Sequence, residues 1–327
     1  MNYEKLAQAA NVSLSTVSKA FSGSREISEK TRQKIFDIAK EYGCFDKYYN
    51  YKSDKKVIAV ICPEVESAYY CSMVARLDSE LTKSGAIMTL AITNFSAKKE
   101  NDILEYFTSS KMVDGIIVIA SSSVIKSNSD IPIVAIHTRR NLSEVDCLNP
   151  AFADAFYDAI NHFVENGHEK IAFFGESHTK SYQNLFIKTI QKFNLKVNPD
   201  WIFEEKERFE SAGYSAMQKI YAMDNKPTAI FCAYDNIALG AIQSIRTHGQ
   251  SVPEHFSIIG VNDIPFASHY NISLTTIKAN STTLCDMAVD LIMKKLKNKF
   301  FTLRQRISLR SELVVRNSVR NIKNDNN

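Results

Sequence analysis

The sequence predicts an all-α helix-turn-helix head followed by an α/β body made of two doubly wound parallel-sheet lobes. Three short amphipathic helical patterns occupy residues 1–45, and short apolar runs alternate with helical patterns from residue 57 onward. The excess positive charge lies in the first part only. Residues 1–56 carry 11 Lys and Arg against 7 Asp and Glu, whereas the rest of the chain carries 29 of each. A basic head on a neutral body is typical of a polyanion-binding module joined to a second functional unit.

The head contains three helical patterns in succession. The first covers about Tyr3–Ala10 and is interrupted at Asn11-Val12-Ser13. Ser13 is a favourable N-cap for the second pattern, LSTVSKAF, and Ser28 for the third, EKTRQKIFDIAKEY. Two short helices joined by a tight turn, with a third packed across them, form a helix-turn-helix module. Its second helix is small enough to enter the major groove of DNA.

The body contains seven apolar runs that are typical of buried strands. They are VIAVIC (57–62), AIMTLAI (86–92), GIIVIA (115–120), IPIVAI (131–136), KIAFF (170–174), TAIFCA (228–233) and FSIIGV (256–261). The stretches between them have helical spacing, which predicts parallel sheets covered on both faces. Leu148-Asn149-Pro150 interrupts the pattern, so we place a division between two lobes there. Such sheets bind ligands beyond the carboxyl ends of their strands, and two facing lobes bind in the cleft between them.

Composition and motifs exclude several classes of protein. The 327 residues are 45% hydrophobic and 23% charged, an ordinary globular composition, and the longest apolar runs are too short to span a bilayer. The start MNYEKLAQAA lacks the pattern of a secretory signal, and the six cysteines form no C-x-x-C pair. We find no G-x-S-x-G, Walker, G-x-G-x-x-G or H-E-x-x-H motif. We therefore expect a cytoplasmic protein with reduced cysteines, no enzyme activity, no cofactor and no metal ion.

The head carries a specific family resemblance. LAQAANVSLSTVSKAFSGSREISEKTRQKI resembles the DNA-binding head of the LacI/GalR family of bacterial regulators, through its A-x-V-S turn, the T-V-S of its second helix and the S-x-x-T-R that opens its third. The resemblance implies base contacts from three residues and phosphate contacts from five. The first set is Leu14, Ser15 and Lys19, and the second is Ser13, Thr16, Ser18, Thr31 and Arg32. The alternative is that Ser13 and Thr16 only cap the helix and that Lys19 is a solvated lysine.

Two of these positions have distinctive chemistry. Lys19 stands where the family usually has arginine, and a lysine donates to guanine as a point charge without arginine's bidentate fork. Discrimination at this position should therefore be weaker. Leu14 has no hydrogen-bond donor, so its side chain can only contact a thymine methyl group or exclude polar base edges.

The body extends the resemblance to nearly the whole chain. ENGHEKIAFFG, TAIFCAYDNIALGAI and SVPEHFSIIGVNDIPFAS resemble three further family blocks, and LTTIKA and ELVVRNS a fourth and a fifth. The resemblance implies a periplasmic-binding-protein-like sensor domain in which the chain crosses back between lobes. We expect a head at 1–45, a hinge at 46–56 and a body at 57–327, with lobes made of 57–148 with 279–304 and of 150–277 with 306–320.

The cleft residues implied by the resemblance depart from the family pattern. The corresponding positions are Tyr69, Tyr70, His137, Tyr182, Phe209, Tyr234, Asp235 and Asn262. Tyr182 replaces an arginine, whereas His137 and Asn262 replace acids. Guanidinium and carboxylate groups grip vicinal hydroxyls through charge-assisted hydrogen bonds, whereas tyrosines offer flat apolar faces. We therefore expect a pocket that is more aromatic and less charged than the usual sugar pocket. For Asp235 we favour a structural role as a helix N-cap, and Asp263 is expected to order the turn that follows it.

Three interpretations of the cleft remain open at this point. It binds a sugar or glycoside by stacking, which we favour. It binds a non-sugar planar molecule such as a nucleobase. In the third, it no longer senses anything or is gated by a protein partner.

The linker CFDKYYNYKSDKK (44–56) lies where the family has a hinge that forms a short helix on DNA and inserts a leucine into the minor groove. Ser53 stands at the position of that leucine. In one interpretation Tyr48, Tyr49 or Tyr51 replaces the wedge while Lys47 and Lys52 contact phosphates. In the other, which we favour, the segment is a tether, because Asn50 and Ser53 disfavour a helix.

The resemblance implies a transcriptional regulator, with repression as the family's default. The expected partners are a double-stranded DNA operator, a small-molecule effector and a second copy of the chain. Two heads would bind successive major grooves of a near-palindromic operator, and a ligand in the cleft would alter DNA affinity. A transport-type solute-binding protein with the same body fold would instead need a signal peptide and no basic head.

Overall fold

The computed structural model describes residues 2–24, 26–45, 55–110, 112–121, 123, 125, 131–138, 144–268, 273–298 and 303–323. The chain divides into two compact units, Met1–Lys56 and Val57–Asn327, called here the head and the body. The proposed hinge contacts Lys47, Tyr48, Tyr49 and Tyr51 lie outside the described residues.

The head consists of three helices, each of which begins at a polar capping side chain. They are α1 (Tyr3–Ala10), α2 (Leu14–Phe21) and α3 (Glu29–Glu41). The side chains of Asn2, Ser13 and Ser28 each accept a hydrogen bond from a backbone N–H in the first turn. The predicted helices and caps of α2 and α3 are therefore confirmed.

The core of the head is formed by the apolar faces of these helices. Leu6 and Ala10 of α1, Val17 of α2 and Ile35 of α3 are all fully buried. Phe21, Phe36 and Phe45 add an aromatic cluster with ring centroids 5.2–6.2 Å apart. This packing fixes α2 as a rigid element whose opposite side faces solvent.

The body contains two six-stranded sheets. The first has the order β11-β5-β4-β3-β1-β2 and the second β12-β10-β9-β8-β6-β7. Every described pairing is parallel except that of β12 with β10. The strands are β1 (Val57–Cys62), β2 (Ile87–Ile92), β3 (Gly115–Ile119), β4 (Ile133–Ile136), β5 (Asp146–Ala151), β6 (Ile171–Glu176), β7 (Ile202–Glu205), β8 (Ala229–Cys232), β9 (Ser257–Val261), β10 (Thr275–Lys278), β11 (Arg306–Arg310) and β12 (Glu312–Val314).

Seven helices accompany these sheets in the described part of the body. They are α4 (Ala68–Lys83), α5 (Ala97–Ser110), α6 (Ala153–Glu165), α7 (Lys180–Lys192), α8 (Phe209–Tyr221), α9 (Asp235–Thr247) and α10 (Ser281–Lys297). The predicted fold class is confirmed: helices cover parallel sheets of almost wholly buried strands such as β3 and β9. Within the described ranges, no helix combines the length and apolar character needed to cross a membrane.

Two of the sequence expectations about the lobes need correction. Residues 306–320 were placed wholly in the second lobe, but β11 (Arg306–Arg310) pairs in parallel with β5 in the first sheet. Its alternating RISLR sequence turns Ile307 and Leu309 toward the core and its arginines outward, which suits an edge strand. The interruption at Leu148-Asn149-Pro150 is likewise part of β5 rather than a break. Beyond Leu148 the described pairing of β5 is with β11 alone.

The described chain passes between the two sheets after β5, after β10 and after β11. Two hydrogen bonds tie these crossings together. The Ser311 backbone N–H donates to the Ala151 carbonyl at 3.1 Å, and the Asn280 side chain donates to the Arg310 carbonyl at 2.9 Å. The lobes are therefore connected by adjacent, mutually bonded segments, the arrangement expected of a hinge between two domains.

Helices α8 and α9 cross in backbone contact. A Cβ at Gly213 would lie 1.8 Å from the Ile237 carbonyl oxygen, and one at Gly240 would lie 1.9 Å from that of Glu210. Only glycine permits this approach. The crossing sets the relative position of the two helix N-termini, which carry Arg208, Phe209, Tyr234 and Asn236 into the cleft.

Candidate functional sites

The predicted DNA-reading face begins at the N-terminus of α2. The Ser13 hydroxyl accepts from the Thr16 backbone N–H at 3.1 Å and lies 2.8 Å from the Thr16 hydroxyl and 2.9 Å from that of Ser15. Ser13 and Ser15 are exposed, so capping and outward presentation coexist at these positions. Ser18 is also exposed, and Leu14 leaves 49% of its surface accessible. An apolar side chain this exposed at the start of a helix is suited to contact with a thymine methyl group.

Lys19 forms an ion pair with a residue that sequence reasoning did not select. Its Nζ lies 2.5 Å from a carboxylate oxygen of Glu26, in the connection between α2 and α3. The hydrogen bond and the charge of Lys19 lower the pKa of Glu26. Lys19 is therefore held by a neighbour rather than simply solvated. The only signal in the sequence was an acid seven residues after the reading lysine in an otherwise basic head.

Arg32 and Thr31 are engaged within the head. Arg32 Nη2 donates to the Ser24 carbonyl at 2.7 Å, and its Nε lies 3.2 Å from Glu29. Only 15% of the Arg32 side chain is exposed. The Thr31 hydroxyl is within 2.8 Å of that of Ser28. Arg32 thus fastens the connection between α2 and α3, a role that its position in the S-x-x-T-R motif did not reveal.

The body has a partly open cavity between its lobes, at the carboxyl ends of the strands. The structure brings together seven of the eight predicted effector residues there: Tyr69, Tyr70, His137, Tyr182, Phe209, Tyr234 and Asn262. It adds eight that were not predicted: Glu64, Ser67, Phe95, Glu176, His178, Thr179, Arg208 and Asn236.

A chain of polar contacts crosses the cleft through His137. This residue follows β4 directly, and its Nδ1 lies 3.0 Å from the Tyr69 hydroxyl of the first lobe. Its Nε2 lies 3.4 Å from the Tyr182 hydroxyl on α7 of the second lobe. Complete burial raises the pKa of Tyr69 well above its ordinary value, so this phenol stays protonated.

The cleft also contains a charged cluster. The Arg208 guanidinium lies 3.9 Å from Glu64 of the first lobe and 4.0 Å from Glu176 of the second. It sits over the rings of Phe95 and Phe209, 5.0 Å and 4.3 Å from their centroids. The expectation of a less charged pocket is therefore wrong. The guanidinium and two carboxylates missing from the family's positions are supplied by other residues that the fold brings together.

Glu64 and Glu176 occupy equivalent places in the two lobes. Each follows or ends the first strand of its sheet and anchors the helix that comes next. Glu64 accepts from the Ser67 backbone N–H at 2.9 Å and from its hydroxyl at 2.6 Å. Glu176 accepts from the His178 backbone N–H at 3.1 Å. An acid immediately after the first strand of each lobe was the sequence signal for this pair.

Two buried polar atoms in the cleft lack a hydrogen-bond partner within the described parts of the chain. They are Nε of Arg208 and Oδ1 of Asn262. A buried polar group without a partner costs roughly 1–3 kcal/mol. Such groups in a cavity are typically satisfied by a ligand or by water.

Backbone strain is concentrated around the same cavity. Phe95, His137, Phe209 and Asn262 all have positive φ angles, between 54° and 106°. Non-glycine residues in this region are held there by their surroundings at a cost of about 1–3 kcal/mol each, and they cluster at functional sites. Phe95 also stacks on His178 across the lobes, with ring centroids 4.2 Å apart and planes 14° from parallel.

Asp235 differs from the other predicted effector residues because it does not line the cavity. It is fully buried, and its carboxylate accepts from the Ile264 backbone N–H at 2.8 Å and from the Thr276 hydroxyl at 2.5 Å. Burial is the main cause that raises the pKa of Asp235 to about 7. It is the first residue of α9 rather than its N-cap, which is Tyr234. Asp263 pairs with Arg316 at 2.6 Å.

Comparison with known proteins finds similarity along the whole chain. Residues 4–44 match the family model for bacterial regulatory proteins of the lacI family, and residues 160–319 match that for a periplasmic binding protein-like domain. The chain is 30% identical over 331 residues to the HTH-type transcriptional repressor PurR of Mannheimia succiniciproducens, covering 97% of this chain and 98% of that protein. It is 30% identical over 328 residues to the PurR repressor of Pasteurella multocida, covering 96% and 97%.

Solved structures with the same fold include two regulators. A LacI family protein from Silicibacter pomeroyi aligns with a TM-score of 0.78 at 17% identity, over 98% of this chain and 99% of that one. A LacI family regulator from Enterococcus faecium with bound ribose aligns with a TM-score of 0.72 at 19% identity, over 82% and 100%.

Proposed function

This chain belongs to the LacI family as a DNA-binding transcriptional repressor with a periplasmic-binding-protein-like effector domain, and from that premise we propose that a small molecule in the interlobe cleft controls its affinity for an operator. It acts as a homodimer on a near-palindromic site in the cytoplasm. The unpartnered Arg208 Nε and Asn262 Oδ1 are the observation that carries the effector proposal. The chain is a regulator rather than an enzyme.

The DNA-binding role is assigned to the exposed side of α2. Leu14, Ser15 and Lys19 read base edges, while Ser13, Thr16 and Ser18 contact phosphates. The exposure of Ser13, Leu14, Ser15 and Ser18 and the rigid packing of the opposite side of α2 support this assignment. Thr31 and Arg32 act indirectly, by fixing the connection that follows α2.

We favour a sugar or glycoside as the effector. A hydroxyl group both donates and accepts, so neighbouring hydroxyls satisfy the N–H of Arg208 and the amide oxygen of Asn262 together. Charged groups strengthen such bonds, and Phe209 and Tyr234 supply apolar surface for the faces of a sugar ring. The ribose in the Enterococcus faecium regulator lies in a protein of the same fold and supports this choice.

A planar heterocycle such as a nucleobase is the second candidate. Its ring nitrogens and exocyclic groups also provide a donor and an acceptor side by side. The aromatic residues that both lobes contribute, including Tyr70, Phe95 and Phe209, favour stacking on a flat ring. The two candidates differ in how many aromatic side chains of the cavity stack on the ligand, and a direct binding screen separates them.

Coupling between effector and DNA follows from contacts that cross the lobes. Tyr182 with His137, His178 with Phe95, and Arg208 with Glu64 each join the second lobe to the first. A ligand that binds among these groups changes the relative stability of open and closed arrangements of the lobes. That change alters the spacing between the two heads of a dimer and hence its fit to successive major grooves.

The edge of the first sheet supports self-association. Ile87 and Leu90 of the edge strand β2 expose 44% and 39% of their surfaces. Apolar residues on the edge of a parallel sheet are normally covered. A second copy of the chain would cover them by a two-fold symmetric contact.

A thermal-shift screen of the full chain tests the effector proposal. The panel contains neutral sugars, glycosides, nucleobases and sugar phosphates, since a ligand that binds the folded state raises its melting temperature by mass action. The shift should be abolished by Arg208→Gln and retained by Lys206→Gln, a matched loss of charge at an exposed site two residues away. A blank across the whole panel would contradict the proposal and favour gating by a protein partner.

A further inference from the structure

The ion pair between Lys19 and Glu26 lies on the solvent side of the head rather than in its core. The two side chains are 44% and 69% exposed, and their charged atoms are 2.5 Å apart. Lys19 is in the last turn of α2, whose opposite side contributes Val17, Ala20 and Phe21 to the core. The pair is thus accessible to anything that approaches the exposed side of this helix.

The position of Glu26 is set by the chain itself. Gly23, with φ of 75°, reverses the backbone after α2, and the Ser24 N–H donates to the carbonyl of Lys19 at 3.1 Å. The Ser24 hydroxyl then accepts from the Glu26 N–H at 3.3 Å, and Arg32 donates to the Ser24 carbonyl at 2.7 Å. These bonds return the connection toward Lys19, so the pairing does not depend on two long side chains meeting by chance.

A carboxylate beside a DNA-reading lysine carries a cost. It repels the phosphates of any duplex and weakens contacts that do not depend on sequence. The positive charge of Lys19 offsets part of that repulsion, and a hydrogen-bond donor on a base edge offsets more of it; in the major groove the donors are the amino groups of cytosine and adenine.

The donor and acceptor pattern of the pair matches one base pair. Across the major groove, G·C presents two acceptors, N7 and O6 of guanine, followed by the N4 donor of cytosine. An ammonium group has three N–H donors, so Lys19 retains two after bonding Glu26. A·T presents acceptor, donor, acceptor, which would oppose the ammonium to an amino group and the carboxylate to a carbonyl.

We propose that Lys19 and Glu26 read one G·C base pair in each half of the operator as a unit, with Lys19 donating to guanine and Glu26 accepting from cytosine N4. The inference rests on the proposal that α2 is the recognition helix. It gives the lysine the directional specificity that it lacks alone, because Glu26 orients the ammonium group and adds an acceptor. Glu26 is thereby a specificity-determining residue.

Selection of binding sites from a random duplex library tests the proposal with the full chain. The proteins compared are the wild type, Lys19→Ala, Glu26→Ala and Glu41→Ala. The last removes an acid from an exposed position at the end of α3 and controls for net charge. Circular dichroism and thermal melting check that each head remains folded.

The wild type should select a site with G·C at one position of each half. Glu26→Ala should reduce the preference for G·C over A·T at that position by roughly tenfold. Lys19→Ala should relax the same position, and Glu41→Ala should leave the site unchanged. If Glu26→Ala selects the same site as the wild type, or loses base preference at a different position, Lys19 and Glu26 do not read one base pair together. If Glu41→Ala weakens the preference for G·C at that position equally, the loss comes from the change in net charge, which would also contradict the paired reading.

The outcomes also separate this inference from the proposed recognition helix. If Lys19→Ala leaves the selected site unchanged, α2 is not the reading element and both proposals fail. If Lys19→Ala relaxes one position and Glu26→Ala does not, the recognition helix stands and only the paired reading fails. A stronger affinity for all duplexes with Glu26→Ala, without a change of site, would make Glu26 a simple repulsive group.

Discussion

Replacement of Asp235 by asparagine should stabilise the body at alkaline pH. The carboxylate is fully buried, and the pKa of Asp235 in the folded chain is raised to about 7. The unfolded chain should have a pKa of about 3.9. Between these values the folded chain holds a proton that the unfolded chain has released. The stability of the wild type therefore falls as pH rises from about 4 to 7. Above pH 7 the full loss of stability caused by the ionised Asp235 is present.

The size of the effect follows from the two pKa values. Their difference of about three corresponds to about 4 kcal/mol, because each pKa unit is worth about 1.4 kcal/mol. Asparagine carries no charge, and its amide oxygen can still accept from the Ile264 N–H while Thr276 reverses its hydroxyl. Asp235→Asn should exceed the stability of the wild type by about 1.5 kcal/mol at pH 5 and by about 4 kcal/mol at pH 8.5, and the two should converge below pH 4.

Urea unfolding followed by tryptophan fluorescence provides the assay. Trp201 is the one tryptophan in the chain and is buried in the second lobe, the lobe that contains Asp235. Midpoints are compared between pH 5 and 8.5 for the wild type, Asp235→Asn and Asp224→Asn, the last being an exposed control. A difference between Asp235→Asn and wild type that stays constant across this range would refute the reasoning, because a titrating group would then not be its source.

Three further predictions concern packing, the head and the operator. Gly240→Ala should lower the free energy of unfolding of the body by about 1–3 kcal/mol or more and lower its melting temperature accordingly, because its Cβ would lie 1.9 Å from the Glu210 carbonyl; an unchanged melting curve would contradict the helix crossing. Ser28→Ala should destabilise the head by about 1 kcal/mol through loss of the α3 cap, measured by circular dichroism against exposed Ser22→Ala. The bound operator should be unbent in a circular-permutation gel assay if the linker is a tether. A kinked operator would instead support a wedge from Tyr48, Tyr49 or Tyr51.

Local pattern predicted most of the architecture. Amphipathic periodicity located all three head helices, serine caps marked the start of the second and third, and seven continuous apolar runs located seven of the strands. Strand β11 was assigned to the wrong lobe because its alternating, arginine-rich sequence resembles a surface segment. Its true partner, β5, is far away in the sequence and contains Pro150. Pairing between distant segments has no local signature, so it was decided by the closure of the first sheet.

Part of the cleft could likewise be predicted from the sequence, and part could not. Seven of the eight positions taken from the family resemblance line the cavity. The equivalent places of Glu64 and Glu176 after or at the end of the first strand of each lobe are visible in the sequence. Nothing in the sequence relates Arg208 to these two acids. Asp235, for which a structural role was favoured, lies outside the cavity, and its carboxylate accepts from Thr276 and Ile264 and not from the N-terminus of α9.

The sequence alone therefore determined the two-part plan, the recognition helix and the location of the cleft, because these depend on periodicity and on charge segregation along the chain. Only the tertiary structure decided the chemistry at both sites. It brought Glu26 within ion-pair distance of Lys19, and it brought the guanidinium of Arg208 and the carboxylates of Glu64 and Glu176 together around one cavity. The physical reason is that hydrogen bonds and ion pairs depend on distances in space, which the turn after α2 and the closure of two lobes establish.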